Sequence, residues 1–358
     1  MPACPPLPRE DLDHVLSHTR ELWEEARGQS FFITGGTGFF GMWLLESFCH
    51  VNDALSLDMR ATVLTRNPEA FAQKAPHLAA RSDLQFIRGD IRSFEFPPGE
   101  FPYIVHAATE ASAKLNEEAP QEMLDAIIGG TRRVLDFAAG ARVRKLLLTS
   151  SGAVYGKQPS EITHVSEEYL GAPDPLQPGS AYGEGKRVSE HMVAVHARQH
   201  HYEVKIARCF AFVGPHLPLD AHFAIGNFLR DAMTGGPIRV GGDGTPYRSY
   251  LYAADLAVWL WTILLCGVPL RPYNVGSGED YSIAQIANSV ATAFTPTPNI
   301  VRAQRNSAYD PAKHRPPVGY PVSRYVPDAA RARQELALEG WVPLGEAIMR
   351  TRNWCLRP

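Results

Sequence analysis

The stretch FFITGGTGFFG, residues 31–41, decides the fold. Residues 31–34 are apolar or β-branched and read as a short buried strand. Gly35, Gly38 and Gly41 follow at three-residue intervals, and an apolar helix opens at Phe39 and Phe40. The first glycine permits a tight turn, the second lets backbone approach a pyrophosphate, and the third lets helix pack on strand. The helix N-terminus offers unpaired N–H groups and a favourable dipole to phosphate. A glycine triplet alone is a weak signal, but its place between strand and helix makes it specific. Gly35, Gly38, Phe39, Phe40 and Gly41 are therefore expected to cradle a dinucleotide.

Outward from this unit the pattern alternates. Further apolar strands are predicted at 61–65, 84–87, 103–106, 145–149 and 204–208, with helices near 39–50, 119–139 and 181–200. Continuous apolar strands alternating with helices predict an α/β fold with a doubly wound parallel sheet. Residues 9–27 read as an amphipathic helix before the first strand. The expected organisation is an N-terminal helical extension over 1–28 and a dinucleotide-binding domain over 29–215. A smaller substrate-binding domain then covers 216–358, with chain returning to the first near 238–276. The apolar run 256–270, with Trp259 and Trp261, is too short for a membrane span and reads as a buried helix. The proline-rich stretch 305–322 reads as a surface loop.

The residues after the second strand bear on cofactor choice. An NAD site usually places a carboxylate there for the ribose hydroxyls. Here the chain reads Thr65, Arg66, Asn67, and the nearest acid is Glu69 beyond a proline. Arg66 is suited to a 2′-phosphate, so the NAD(P) site is read as leaning to NADP, with NAD still open.

Tyr182 and Lys186 stand four residues apart on a predicted helix and share a face. Removing hydride from a carbinol also requires removing its hydroxyl proton. A phenol with a pKa near ~10 is a poor base at neutral pH, and a nearby ammonium favours its ionised form. Ser150 and Ser151 end an apolar strand, where this architecture places its ligand crevice. Ser151, Tyr182 and Lys186 form the expected catalytic set, with Tyr182 and Lys186 also against the cofactor.

Together with GDI at 89–91, HAA at 106–108, TSSGAVYG at 149–156 and YGEGK at 182–186, the chain resembles the extended short-chain dehydrogenase/reductases that act on nucleotide sugars. GDGTPYRSYLYAADLA at 242–257, YNVGSGEDYSIAQIA at 273–287 and RYVPDAARARQEL at 324–336 extend the likeness over roughly 30–350. The resemblance implies a Rossmann domain with a smaller C-terminal substrate domain, and a homodimer paired through helices near 119–139 and 181–200. It implies Asp90 and Ile91 at the adenine, and Ala107 and Ala108 along the cofactor channel. Arg248 would meet the substrate's nucleotide or diphosphate, and Asn227 its phosphate or sugar. Glu110, and more weakly Ser112, would bind sugar hydroxyls.

The departures sharpen this picture. Dehydratases of the family usually carry Asp-Glu before VYG, and decarboxylases keep the glutamate; this chain has Gly152 and Ala153. Epimerases typically have small residues there. Ala211 replaces a usual asparagine, for which Asp220, His222 or Asn227 are candidate substitutes. The expected reaction is C4 epimerisation of a nucleotide sugar through a 4-keto intermediate. NADPH-dependent 4-ketoreduction comes second, 4,6-dehydration third, and a redox-sensing dinucleotide binder is the non-enzyme alternative.

The net charge of −3 gives no basic field for nucleic acid or acidic lipid. The five cysteines are scattered, without a CxxC pair, and no secretory segment is visible, so a cytoplasmic, reduced setting is expected. His196 and His200 have metal-like spacing but no evident third ligand, so no metal site is expected.

Overall fold

The computed structural model describes residues 3–109, 113–221, 223–303, 312 and 322–357. Its centre is a seven-stranded, all-parallel sheet. In chain order the strands are β1 (Ser30–Thr34), β2 (Arg60–Thr65), β3 (Leu84–Arg88), β4 (Tyr103–His106), β5 (Lys145–Ser151), β6 (Glu203–Cys209) and β7 (Pro272–Val275). They lie in the order β7-β6-β5-β4-β1-β2-β3. The order reverses between β1 and β4, paired from Phe31–Tyr103 to Thr34–His106. Ligand crevices in open α/β sheets form at such a reversal, beyond the carboxyl ends of the strands.

The helices used below are α1 (Arg9–Thr19), α2 (Phe39–Leu55), α3 (Gly130–Ala138), α4 (Ala181–His200), α5 (Ala224–Met233), α6 (Ala253–Cys266) and α7 (Leu344–Cys355). α6 is apolar nearly all round because it is buried between sheet and N-terminal extension; Trp259 and Trp261 are core residues. β7 pairs with β6, so Pro272–Val275 forms one edge of the large sheet. The rest of the C-terminal region includes α5 and a small sheet in which Tyr247–Arg248 lies between Tyr281–Ser282 and Arg324–Tyr325.

Two expected helices are broken. The extension is α-helical only to Thr19 and continues as two 3₁₀ turns. Thr19 Oγ1 donates to the Val15 carbonyl at 2.7 Å and accepts from Trp23 Nε1 at 3.0 Å, a local bond that competes with helix continuation. The 119–139 segment is divided into Pro120–Leu124, a π-helical turn Asp125–Gly129, and α3. Gly129 and Gly130 lie at this join, and a Cβ on Gly130 would come within 2.9 Å of the Ile91 side chain.

The two ends of the chain meet. Asp11, fully buried, accepts from Tyr252 Oη at 2.7 Å and from Arg350 Nη1 at 2.5 Å. Burial nevertheless raises its pKa against the pull of both partners. Trp354 Nε1 donates to the Pro6 carbonyl at 3.2 Å. Among the described residues no helix is long and apolar enough to cross a membrane.

Candidate active site

The glycine loop has the geometry its sequence requires. Gly35 has φ +76°, and a Cβ there would lie 2.5 Å from the Ala107 carbonyl group. A Cβ on Gly41 would lie 2.2 Å from Gly36. At Gly38 the nearest atom to such a Cβ is the Gly35 oxygen at 3.5 Å, so the loop stays open at this point. Gly38 is the N-cap of α2 and supplies no side-chain cap, which leaves first-turn amides for a phosphate. A dinucleotide pyrophosphate fits this cradle. Lys74, which sequence reasoning passed over, donates to the Thr37 carbonyl at 3.0 Å and puts a cation beside the loop. Phe40 packs edge-on against Phe212, with ring centres 5.2 Å apart, and Phe39 packs beside it.

The channel beyond is lined from β4. Thr34 Oγ1 accepts from the Ala108 N–H at 3.2 Å and pairs with His106 Nδ1 at 2.9 Å. Burial drives the His106 pKa down to about 3, so this imidazole is neutral. Asp90 accepts from the Arg92 backbone and guanidinium, which hold its carboxyl below the ordinary range. Ile91 lies over Gly130. Arg66 is exposed at the end of β2, and its carbonyl accepts from Arg88 Nη1. The other bond of Arg88 is to Glu69, the one nearby acid named above.

α4 brings Tyr182 and Lys186 to the carboxyl end of β5. Its first-turn amide at Tyr182 is capped by Asn116 Oδ1 at 2.9 Å, another partner the sequence did not reveal. Lys186 Nζ donates to Thr109 Oγ1 at 2.5 Å and to the Thr149 carbonyl at 2.8 Å. Burial pulls its ammonium down to about 8. Burial likewise pushes the Tyr182 phenol up to about 12, against the pull of the Ser151 hydroxyl. Lys186 Nζ is 5.9 Å from the Tyr182 ring centre, held by the two threonines rather than bound to the phenol. Ser151 Oγ accepts from the Ala153 N–H at 3.1 Å and lies 3.3 Å from the hydroxyl of Tyr325.

A Cβ on Gly152 would lie 2.6 Å from the tip of the Phe210 ring, so a side chain there would require that ring to move. Arg248 is half-buried, its register partners are Tyr281 and Tyr325, and its hydrogen bond goes to the Tyr247 carbonyl at 2.7 Å. Burial lowers its pKa, and no carboxylate pairs with it among the described residues. Asn227, in α5, accepts from Arg230 Nη1 at 3.2 Å. The hydroxyl of Tyr250 meets the Ile225 backbone, which joins the start of α5 to the Arg248 segment. Asp220 is exposed. Glu110, Ser112, His222 and most of the 305–322 stretch lie outside the described residues. His196 pairs with Tyr202 and stacks on His200 with ring centres 4.0 Å apart.

A phenol and a serine set beside a buried ammonium, at the mouth of a dinucleotide cradle, suit reversible oxidation of a carbinol. The chain belongs to the NAD dependent epimerase/dehydratase family, whose model matches residues 31–276. UDP-glucuronic acid decarboxylase 1 of Xenopus tropicalis is 30% identical over 323 residues, covering 90% of this chain and 71% of the relative. UDP-glucuronic acid 4-epimerase of Bacillus cereus, solved with UDP-glucuronic acid and NAD, has a TM-score of 0.74 and 21% identity, covering 91% of this chain and 98% of that one. A dTDP-glucose 4,6-dehydratase from Bacillus anthracis with NAD gives 0.69 and 18%, covering 91% and 96%. The chain is thus similar to proteins named for three reaction types.

Proposed function

We propose that the protein epimerises a nucleotide-activated sugar at C4 through a 4-keto intermediate. The observation that carries this reading is at residues 152 and 153. Elimination of water needs an acid and a base beyond Tyr182, and the Phe210 ring fills the space that a side chain on Gly152 would need. Ala153 has no group that can move a proton. In this reading Tyr182 takes the proton from the 4-hydroxyl and returns it. Ser151 hydrogen-bonds the same oxygen as it becomes a carbonyl. Lys186 keeps a positive charge near the phenol, and Arg248 meets the diphosphate. A bound nicotinamide supplies the reversible oxidation at C4. The glycine cradle and Lys74 hold the pyrophosphate. Val188 and Val195, exposed one heptad apart on α4, suit a homodimer face.

A second reading is net reduction of a 4-keto sugar by NADPH. It is favoured by Arg66 at the end of β2 and by the commitment of Glu69 to Arg88, which leaves that acid engaged away from a ribose. Arg66→Ala should then weaken NADP more than NAD, by about 1.5–3 kcal/mol; equal losses would remove Arg66 as a phosphate reader.

The test incubates the purified protein with UDP-, dTDP-, CDP- and GDP-sugars without reductant and follows mass and stereochemistry. UDP-glucuronic acid belongs in the panel because the decarboxylase relative is named for it. An epimer of unchanged mass supports the proposal. Loss of water or of carbon dioxide overturns it. Reaction only when a 4-keto sugar and NADPH are both present selects the reductase.

A further inference from the structure

Tyr325 reaches the reacting centre, and the motifs leave it without a role. Its hydroxyl lies 3.3 Å from Ser151 Oγ and 3.4 Å from the Cys209 carbonyl oxygen. The same serine lies near enough to the Tyr182 phenol to oppose the rise that burial gives its pKa. A serine hydroxyl has one proton and two lone pairs. The Ala153 N–H occupies one lone pair, so one acceptor site and one proton remain for two phenols.

Two arrangements are open to the three hydroxyls. In one, Tyr182 donates to Ser151, Ser151 donates to Tyr325, and Tyr325 donates to the Cys209 carbonyl. In the other, Tyr325 donates to Ser151 and Ser151 donates to Tyr182, whose oxygen needs no proton of its own. The first suits a neutral Tyr182 and the second a phenolate. The two differ by the Tyr182 proton, which Tyr182 takes from the sugar 4-hydroxyl and later returns to it, while the Ser151 and Tyr325 hydroxyls turn about their C–O bonds.

We infer that Tyr325 is a positioning residue for proton transfer, acting through Ser151 to turn the serine from acceptor to donor as Tyr182 loses its proton. This rests on the reading of Tyr182 as the base. The fold holds Tyr325 firmly enough for the task. Its ring packs on Phe210 with centres 4.7 Å apart. Arg324 before it is ion-paired to Asp280 at 2.8 Å, and Val326 after it donates its N–H to Gln158 at 3.0 Å. The titratable groups facing the chain are Cys209 and Arg248 on the Tyr325 side, and Cys209 and Lys186 near Tyr182.

The test uses the full chain loaded with NAD and isotope-labelled at tyrosine Cζ, with the Tyr182 resonance assigned by its loss in Tyr182→Phe. In Tyr325→Phe the ring packing survives, and the phenolate loses the outer of two donors in line. The midpoint of Tyr182 ionisation should rise by about half a pH unit. In a Ser151→Ala background the same substitution should leave the midpoint where it is. An unmoved or lowered midpoint in Tyr325→Phe overturns the inference, and so does an equal rise without the serine. A thermal scan checks that each variant is folded; if Tyr325→Phe does not fold, Tyr325→Leu replaces it, with the same expectation. Turnover of the sugar panel is read separately. If the wild-type protein converts no nucleotide sugar, the proposed reaction fails while the titration still decides the role of Tyr325.

Discussion

Ser150 and Ser151 are consecutive, both hydroxyls, both at the end of β5, and 3% and 5% exposed. Their surroundings are opposite in kind. Ser150 donates to Glu190 Oε1 at 2.5 Å. Glu190 also takes two bonds from Arg208, at 3.0 and 2.7 Å, and Arg208 donates to Tyr155 Oη at 2.9 Å. Tyr155 donates in turn to Asn274 Oδ1 at 2.7 Å. Burial alone would lower the Arg208 pKa, and Glu190 more than reverses this. This network joins β5, β6, β7 and α4 through fixed charges. Ser151 instead sits among neutral hydroxyls whose proton directions can reverse. Neither burial nor residue type distinguishes the two serines; Ser150 is bound to a carboxylate that can only accept, whereas Ser151 meets a hydroxyl that can either donate or accept.

The comparison can be broken by mutation, beginning with the largest effect. Tyr182→Phe should lower turnover by about 10²–10⁴-fold, the usual worth of a positioned acid–base group, while nicotinamide cofactor affinity stays within about twofold. Calorimetric binding beside a turnover assay checks both; near-normal turnover would remove Tyr182 from the chemistry. On the Ser150 side, Glu190→Gln should cost about 3 kcal/mol of unfolding free energy in urea, because it strands Arg208. A loss below about 1 kcal/mol would mean the network is not what holds these strands together.

Lys186→Met tests the boundary between the two regions through pH. The folded-state pKa is about 8 against an ordinary 10.5, so between those values the unfolded chain binds the extra proton. Stability of the wild-type protein should therefore rise with pH across that window relative to Lys186→Met, by on the order of 3 kcal/mol in total. Parallel stability curves for the two proteins would show that Lys186 keeps its charge in the fold. The smallest effect is expected from the serines. Ser150→Ala should cost about 1 kcal/mol of stability with turnover little changed, and Ser151→Ala should do the reverse. Equal behaviour of the two would erase the distinction.

Legibility followed sequence distance. The glycine loop, the strand ends and the Tyr182–Lys186 pair are short patterns, each complete within one strand or one helical turn, and the parallel sheet follows from their alternation. Tyr325 reaches Ser151 across 174 positions, through a two-residue strand paired with Tyr247–Arg248. No local period encodes such a meeting. Thr109, Asn116 and Lys74 were also hidden, because each acts through isolated hydrogen bonds from a loop or short helix. The π-turn at 125–129 interrupts an otherwise helical pattern, and its glycine pair reads equally well as helix–helix packing. The roles of Arg248 and Asn227 came from resemblance alone, and the structure gives the two very different neighbours.

The clasp at Asp11 has a mechanical consequence. α1 and α7 share one buried carboxylate, and the Pro6 carbonyl is tied to Trp354. A force applied between the two termini would load these few bonds in shear before any strand of the large sheet carried tension. The crevice at the reversal between β1 and β4 is thus insulated from whatever tugs on the ends, whether a fused domain or a surface attachment.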